Sequence, residues 1–130
     1  MLDLSQGLAG PYCGMLLAQH GADVIKLEPP EGDWSRGIGT RHGSHSAIDF
    51  MANRGKRSVV IDMKKPGGVA AVLRMAAQCD VVIEGFRPGV SARRASATNR
   101  CARRTRAWSI SPSAASGRPA RMRRCRRPTR

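Results

Sequence analysis

Residues 91–130 contain no aspartate, no glutamate and no lysine, but they hold 13 arginines. Residues 1–90 carry 10 basic and 9 acidic residues, so nearly all of the net charge of +14 comes from the last part of the chain. That part is also poor in large apolar residues: one Trp, one Ile and one Met stand among Arg, Ala, Ser and Pro. It cannot bury enough apolar surface to offset chain entropy, and disorder is expected from residue 94 onward. The core is therefore sought in residues 1–93, which suffice for a small domain.

Other absences narrow the class further. No stretch approaches membrane-spanning length, and no basic segment followed by a long apolar run marks a targeting signal. Cys13, Cys79, Cys101 and Cys125 show no close-paired spacing, so neither a disulfide framework nor a zinc site is expected. These absences fit a reduced, cytoplasmic protein without a membrane partner. Cys13 falls on an apolar helix face and is read as a packing residue. His42 and His45 form no recognised metal-ligand spacing with a Cys or carboxylate and read as polar loop residues rather than metal ligands. Gly37-Ile38-Gly39 is too short to cradle a phosphate.

Residues 1–90 alternate between strand and helix patterns. Leu2-Asp3-Leu4 reads as the end of a strand and Ser5 to Gly10 as a small-residue loop. Pro11 opens a helix that Gly21 stops. Residues 23–27 and 57–62 read as strands, the second rich in β-branched side chains. A short helix is expected within Ser46 to Asn53, and a longer amphipathic one over residues 66–78. Residues 80–84 have an unbroken apolar centre, which predicts a strand buried on both faces of a parallel sheet. The fold expected is α/β, a parallel sheet with flanking helices. Such sheets bind ligands at the carboxyl ends of their strands, so the loops after residues 4, 28, 62 and 84 are the places to look.

Four blocks carry a resemblance. They are Leu2-Asp3-Leu4-Ser5 with Gly10-Pro11-Tyr12-Cys13; Gly21 through Asp33; Asn53-Arg54-Gly55-Lys56-Arg57-Ser58; and Asp80 through Val90. In this order and spacing they resemble the class III coenzyme A transferases (the CaiB/BaiF type). Relatives include formyl-CoA transferase, carnitine CoA-transferase and α-methylacyl-CoA racemase. The resemblance runs from residue 1 to about residue 93. It implies a Rossmann-like sheet and transfer of CoA from an acyl-CoA to a carboxylic acid. An aspartate would attack the thioester and pass through an aspartyl-CoA intermediate.

The resemblance also implies positions that meet CoA: Leu8 and Ala9; Ile61, Asp62, Met63 and Lys64; Gly85, Phe86 and Arg87; and Arg93. Phe86 suits an adenine face, and Lys64, Arg87 and Arg93 suit phosphates. The family's nucleophilic aspartate maps to no residue here, so no catalytic residue is assigned. CoA enters as substrate, with no permanent cofactor and no metal. Family members form interlocked homodimers of much longer chains. Two departures stand out. Pro29 occupies a position where many members have Arg, and Gly85 replaces a common Asn. The resemblance further places Met1 inside the first strand.

Two readings of residues 94–130 compete. As a basic arm, Arg121, Arg123, Arg124, Arg126 and Arg127 would hold a phosphate backbone without sequence preference. The alternative is a shifted reading frame, because Arg, Ala, Pro and Ser without acids is the composition of a GC-rich gene read out of frame. Loss of one base after the Arg93 codon accommodates, in the original frame, a string with Y-E and S-I-S-G-F-G that resembles the family's next segment. Residues 107–111, for example, permit L-V-Y-L. On this reading the chain is an inactive fragment of a transferase or racemase.

Overall fold

The computed structural model describes residues 1–85 and the backbone of two later strands, Trp108–Ser111 and Arg121–Arg124. Six strands form one sheet: β1 (Leu2–Asp3), β2 (Ile25–Glu28), β5 (Arg57–Val60), β6 (Val81–Ile83), β7 (Trp108–Ser111) and β8 (Arg121–Arg124). Their spatial order is β5-β2-β1-β6-β7-β8. Neighbours from β5 to β7 pair parallel, and only β7 with β8 is antiparallel. A small antiparallel pair, β3 (Arg41–His42) and β4 (His45–Ser46), stands apart. Helices α1 (Ala9–Gln19), α2 (Ala47–Asn53) and α3 (Pro66–Ala77) and a 3₁₀ turn at Trp34–Gly37 complete the described elements.

The expected strands at 23–27, 57–62 and 80–84 are therefore present, shortened or shifted by one to three residues, and they are parallel members of one sheet. Helix α1 starts at Ala9 rather than Pro11, because the Leu8 carbonyl already accepts Tyr12 N–H at 2.8 Å. Proline still falls in the first turn, where no intrahelical donor is needed. Gly21 follows α1 at φ 93°, the left-handed conformation that ends many helices. Ser46 caps α2 by accepting Asp49 N–H at 3.1 Å. The disorder expected from residue 94 concerns a segment of which only the backbone of β7 and β8 is described. The rest of that segment lies outside the described residues.

The two faces of the sheet differ. On one, Leu2, Leu4, Leu27 and Val82 pack with Val72 and Ala76 of α3, joined by Ile25, Val59 and Ile61. On the other, cross-strand register aligns Asp3, Lys26 and Ser58, with Glu28 further along β2. Helix α1 covers this polar face, and α2 packs beside α1. The chain runs outward from β1 to β2 to β5 and then returns through α3 to pair β6 with the opposite edge of β1. The order thus reverses between β1 and β6, so the loops after these strands flank the switch point at which such sheets take ligands.

Candidate functional site

The carboxyl ends of β1, β2 and β5 open into a cleft lined by Leu4, Gln6, Leu27, Pro29, Ile61, Asp62, Met63 and Lys64. Its floor is apolar and continuous with the core, while Asp62 and Lys64 bring charge to the rim. Asp62 shapes the loop by accepting Lys64 N–H at 2.8 Å. The Lys64 ammonium reaches Glu31 at 2.9 Å, both side chains being well exposed. Gly68, in the first turn of α3, allows the close passage of this loop, since a Cβ there would run into the Asp62 carbonyl.

Ile61, Asp62, Met63 and Lys64, the positions that the resemblance assigns to CoA, all line this cleft. Leu8 and Ala9 lie elsewhere on the same sheet end, exposed at the start of α1. Gly85 is exposed just after β6. Phe86, Arg87 and Arg93 lie outside the described residues. The sequence did not single out Gln6, Leu27 and Pro29 as lining residues, although the loops after residues 4 and 28 had been marked.

Beneath the loop that follows β1 lies a buried ionic network. Lys56 Nζ pairs with Asp3 at 2.8 Å, and both side chains are at most 1 % exposed. The same ammonium donates to the Pro11 carbonyl at 2.7 Å and to Asn53 Oδ1 at 3.0 Å. Ser5 donates its N–H and its hydroxyl to Asp3. Lys26 donates to the Ser5 carbonyl and pairs with Asp33 at 2.8 Å. Asp33 also accepts Gly7 N–H and Ser35 N–H, each at 2.9 Å. Burial alone would raise the Asp33 carboxyl, but the Lys26 ammonium and these two N–H donors outweigh it, so its pKa falls below the ordinary carboxylate value. For Lys56 burial dominates, and it pulls the ammonium below its ordinary value against the attraction of Asp3.

The network continues outward. Arg36 grips Glu28 with two hydrogen bonds, of 2.9 and 2.7 Å. Burial pushes the Glu28 carboxyl up, yet Arg36 and the Asp33 N–H bring it below its ordinary value. Arg36 also approaches Asp49 at 3.2 Å, and Asp49 meets His45 Nδ1 at 2.7 Å. Sequence reading placed His45 in a polar loop; here it stands on β4 beside a carboxylate four residues along. A pocket of about 210 Å³ lies against this outer part, bounded by Glu28, Arg36, His45, Phe50, Arg54 and Ser58 among others.

The model of CoA-transferase family III matches residues 1–106. The chain belongs to CoA-transferase family III. The match extends past Arg93, where the motif resemblance stops. Among similar enzymes is the succinyl-CoA–D-citramalate CoA-transferase of Chloroflexus aurantiacus, 45% identical over 91 residues, which are 68% of this chain and 23% of that enzyme. The succinyl-CoA:glutarate CoA-transferase of Homo sapiens is 42% identical over 91 residues, 68% of this chain and 21% of that enzyme. The chain spans less than a quarter of the length of these curated relatives. Among solved structures, a CAIB/BAIF family protein from Brucella suis superposes with a TM-score of 0.71 at 35% identity, covering 84% of this chain and 31% of that one. A hypothetical protein from Mycobacterium tuberculosis gives 0.69 at 34% identity, over 85% and 30% of the two chains.

Proposed function

We propose that residues 1–93 are the CoA-binding part of an acyl-CoA:carboxylate CoA-transferase, and that this chain alone does not transfer CoA. The observation that carries the reading is the strand-end cleft, in which Ile61, Asp62, Met63 and Lys64 share one loop at the end of β5. An apolar floor with a lysine at its rim suits a thioester ligand that joins a pantetheine arm to phosphates. Lys64 would meet phosphate; Leu8, Ala9 and Gly85 would flank the ligand at the strand ends; Phe86, Arg87 and Arg93 would complete the site. The intact enzyme would form an aspartyl-CoA thioester on an aspartate that no position here supplies, and would act as an interlocked homodimer. Calorimetric titration with CoA tests the binding: weak binding is expected, lowered further by Lys64→Ala. The same titration with no heat of binding would remove the reading. Capture of a covalent CoA thioester on this polypeptide would refute its inactivity.

The same proposal takes residues 94–130 as out-of-frame translation. The charge step at residue 91 and curated matches confined to about two thirds of the chain support it. Sequencing the locus decides it. Restoring one base after the Arg93 codon should give an acid-containing sequence with S-I-S-G-F-G and an aspartate whose replacement abolishes transfer. A stop codon within a few codons of the restored frame would sink the idea. The arginine-rich composition alone favours a second reading, a small protein that binds nucleic acid through its basic arm.

A further inference from the structure

We propose that Asp33 is a positioning residue, which fixes the loop after β1 in the shape that presents Gln6, Leu8 and Ala9 to CoA. The inference rests on the CoA-binding reading above. The loop from Ser5 to Gly10 has no secondary structure of its own up to the start of α1 at Ala9. Its shape is imposed from below. Asp33 is 2 % exposed and lies 26 residues from Gly7, yet it accepts the Gly7 N–H at 2.9 Å. Its other oxygen holds Lys26, whose ammonium in turn donates to the Ser5 carbonyl. One carboxylate therefore fixes the loop at two points, directly at Gly7 and through Lys26 at Ser5.

Sterics add a third constraint. Gly7 sits at φ 83°, a conformation that L side chains seldom adopt, and a Cβ there would collide with the Trp34 indole. Trp34 follows Asp33 directly, so the residue that bonds the loop also sets the ring against which it packs. Ser5 and Gly7 are buried by these contacts, whereas Leu8 and Ala9 are left exposed and Gln6 lines the cleft. A clamp below and free side chains above are what a preorganised binding loop requires.

The test separates the hydrogen-bond acceptor from the ion pair. Asp33→Asn alone strands the Lys26 charge in the interior and can unfold the chain. Two double variants avoid this. In Lys26→Met/Asp33→Asn, both charges of this pair are removed, and the asparagine oxygen still accepts Gly7 N–H. In Lys26→Met/Asp33→Leu, the charges are likewise gone, but the Gly7 N–H has no acceptor. Amide hydrogen exchange at Gly7 is read in each full-length chain, with CoA affinity measured in parallel.

The leucine variant should exchange at Gly7 roughly tenfold faster than the asparagine variant and bind CoA about tenfold more weakly. Equal exchange and equal affinity in the two variants would overturn the positioning role. So would free-peptide exchange at Gly7 in the unsubstituted chain. If exchange differs as expected but the unsubstituted chain binds no CoA, the clamp stands and the CoA reading falls.

Discussion

At the scale of single residues, the Asp3–Lys56 pair illustrates how sequence and packing are coupled. Two opposite charges are buried together, and each makes the other tolerable. Gly14 of α1 lies directly over them; a Cβ there would come within 2.9 Å of Asp3 Oδ2 and 3.0 Å of Lys56 Nζ. Lys56→Met should cost about 3–5 kcal/mol in urea unfolding, because it leaves Asp3 charged and unpaired. Asp3→Leu/Lys56→Met should recover most of that loss; if the double variant were as unstable as the single one, the charge argument would fail. Asp33 and Glu28 predict the response to acid. Their folded pKa values lie below the ordinary 3.8 and 4.5, so the unfolded chain binds protons first as the pH drops. The stability they contribute is full above the ordinary values and is lost as pH falls through the lower folded ones. Denaturation midpoints should decline below about pH 4.5, with a smaller decline in Lys26→Met/Asp33→Asn.

At the scale of elements, α2 depends on its cap. Ser46 accepts the Asp49 N–H and donates its own hydroxyl to the Ser35 carbonyl at 2.7 Å, so it ties the helix to the 3₁₀ turn Trp34–Gly37. Ser46→Ala should lower stability by about 1 kcal/mol, and Ser46→Asp should retain the cap but lose the tie. Thermal unfolding of the two variants distinguishes these contributions. Most elements were legible in the sequence because each carries its own local signal. The β-branched run at 59–61 marks β5, the proline and glycines at 66–68 mark the start of α3, and the apolar triplet at 81–83 marks β6. The β3–β4 pair was missed, since it is made by a turn at Gly43 with only two residues on either side and no hydrophobic alternation. The buried network was missed for a different reason. Lys26 and Glu28 alternate with apolar neighbours, and alternation ordinarily means one wet face. Burial of the polar face follows from partners supplied by distant segments, Asp33, Arg36 and Lys56, whose proximity is a property of the topology. Likewise, the loops around the cleft were foreseen from the strand ends, but the membership of Gln6 and Pro29 depended on how those ends fan together.

At the scale of the whole molecule, the two parts of the chain should behave differently toward polyanions. Residues 1–90 are nearly neutral, whereas 91–130 carry only positive charge. Binding to a DNA oligonucleotide should fall linearly in logarithm as salt rises, show no sequence preference and disappear on removal of residues 91–130. Retention of DNA binding by residues 1–90, measured by anisotropy, would count against that division. The sheet order has a further consequence, which concerns time. Strand β1 leaves the ribosome before β2 and β6, yet it lies between them in the sheet. Its second partner emerges some eighty residues later, which at typical synthesis speeds is roughly 4–16 s. Throughout that interval one edge of β1 is an unpaired template for other chains. Nascent chains that end before Val81 should therefore aggregate or recruit chaperones more than those that extend past Ile83. In this molecule β1 is made before both of its partners and is secured only when the later one arrives.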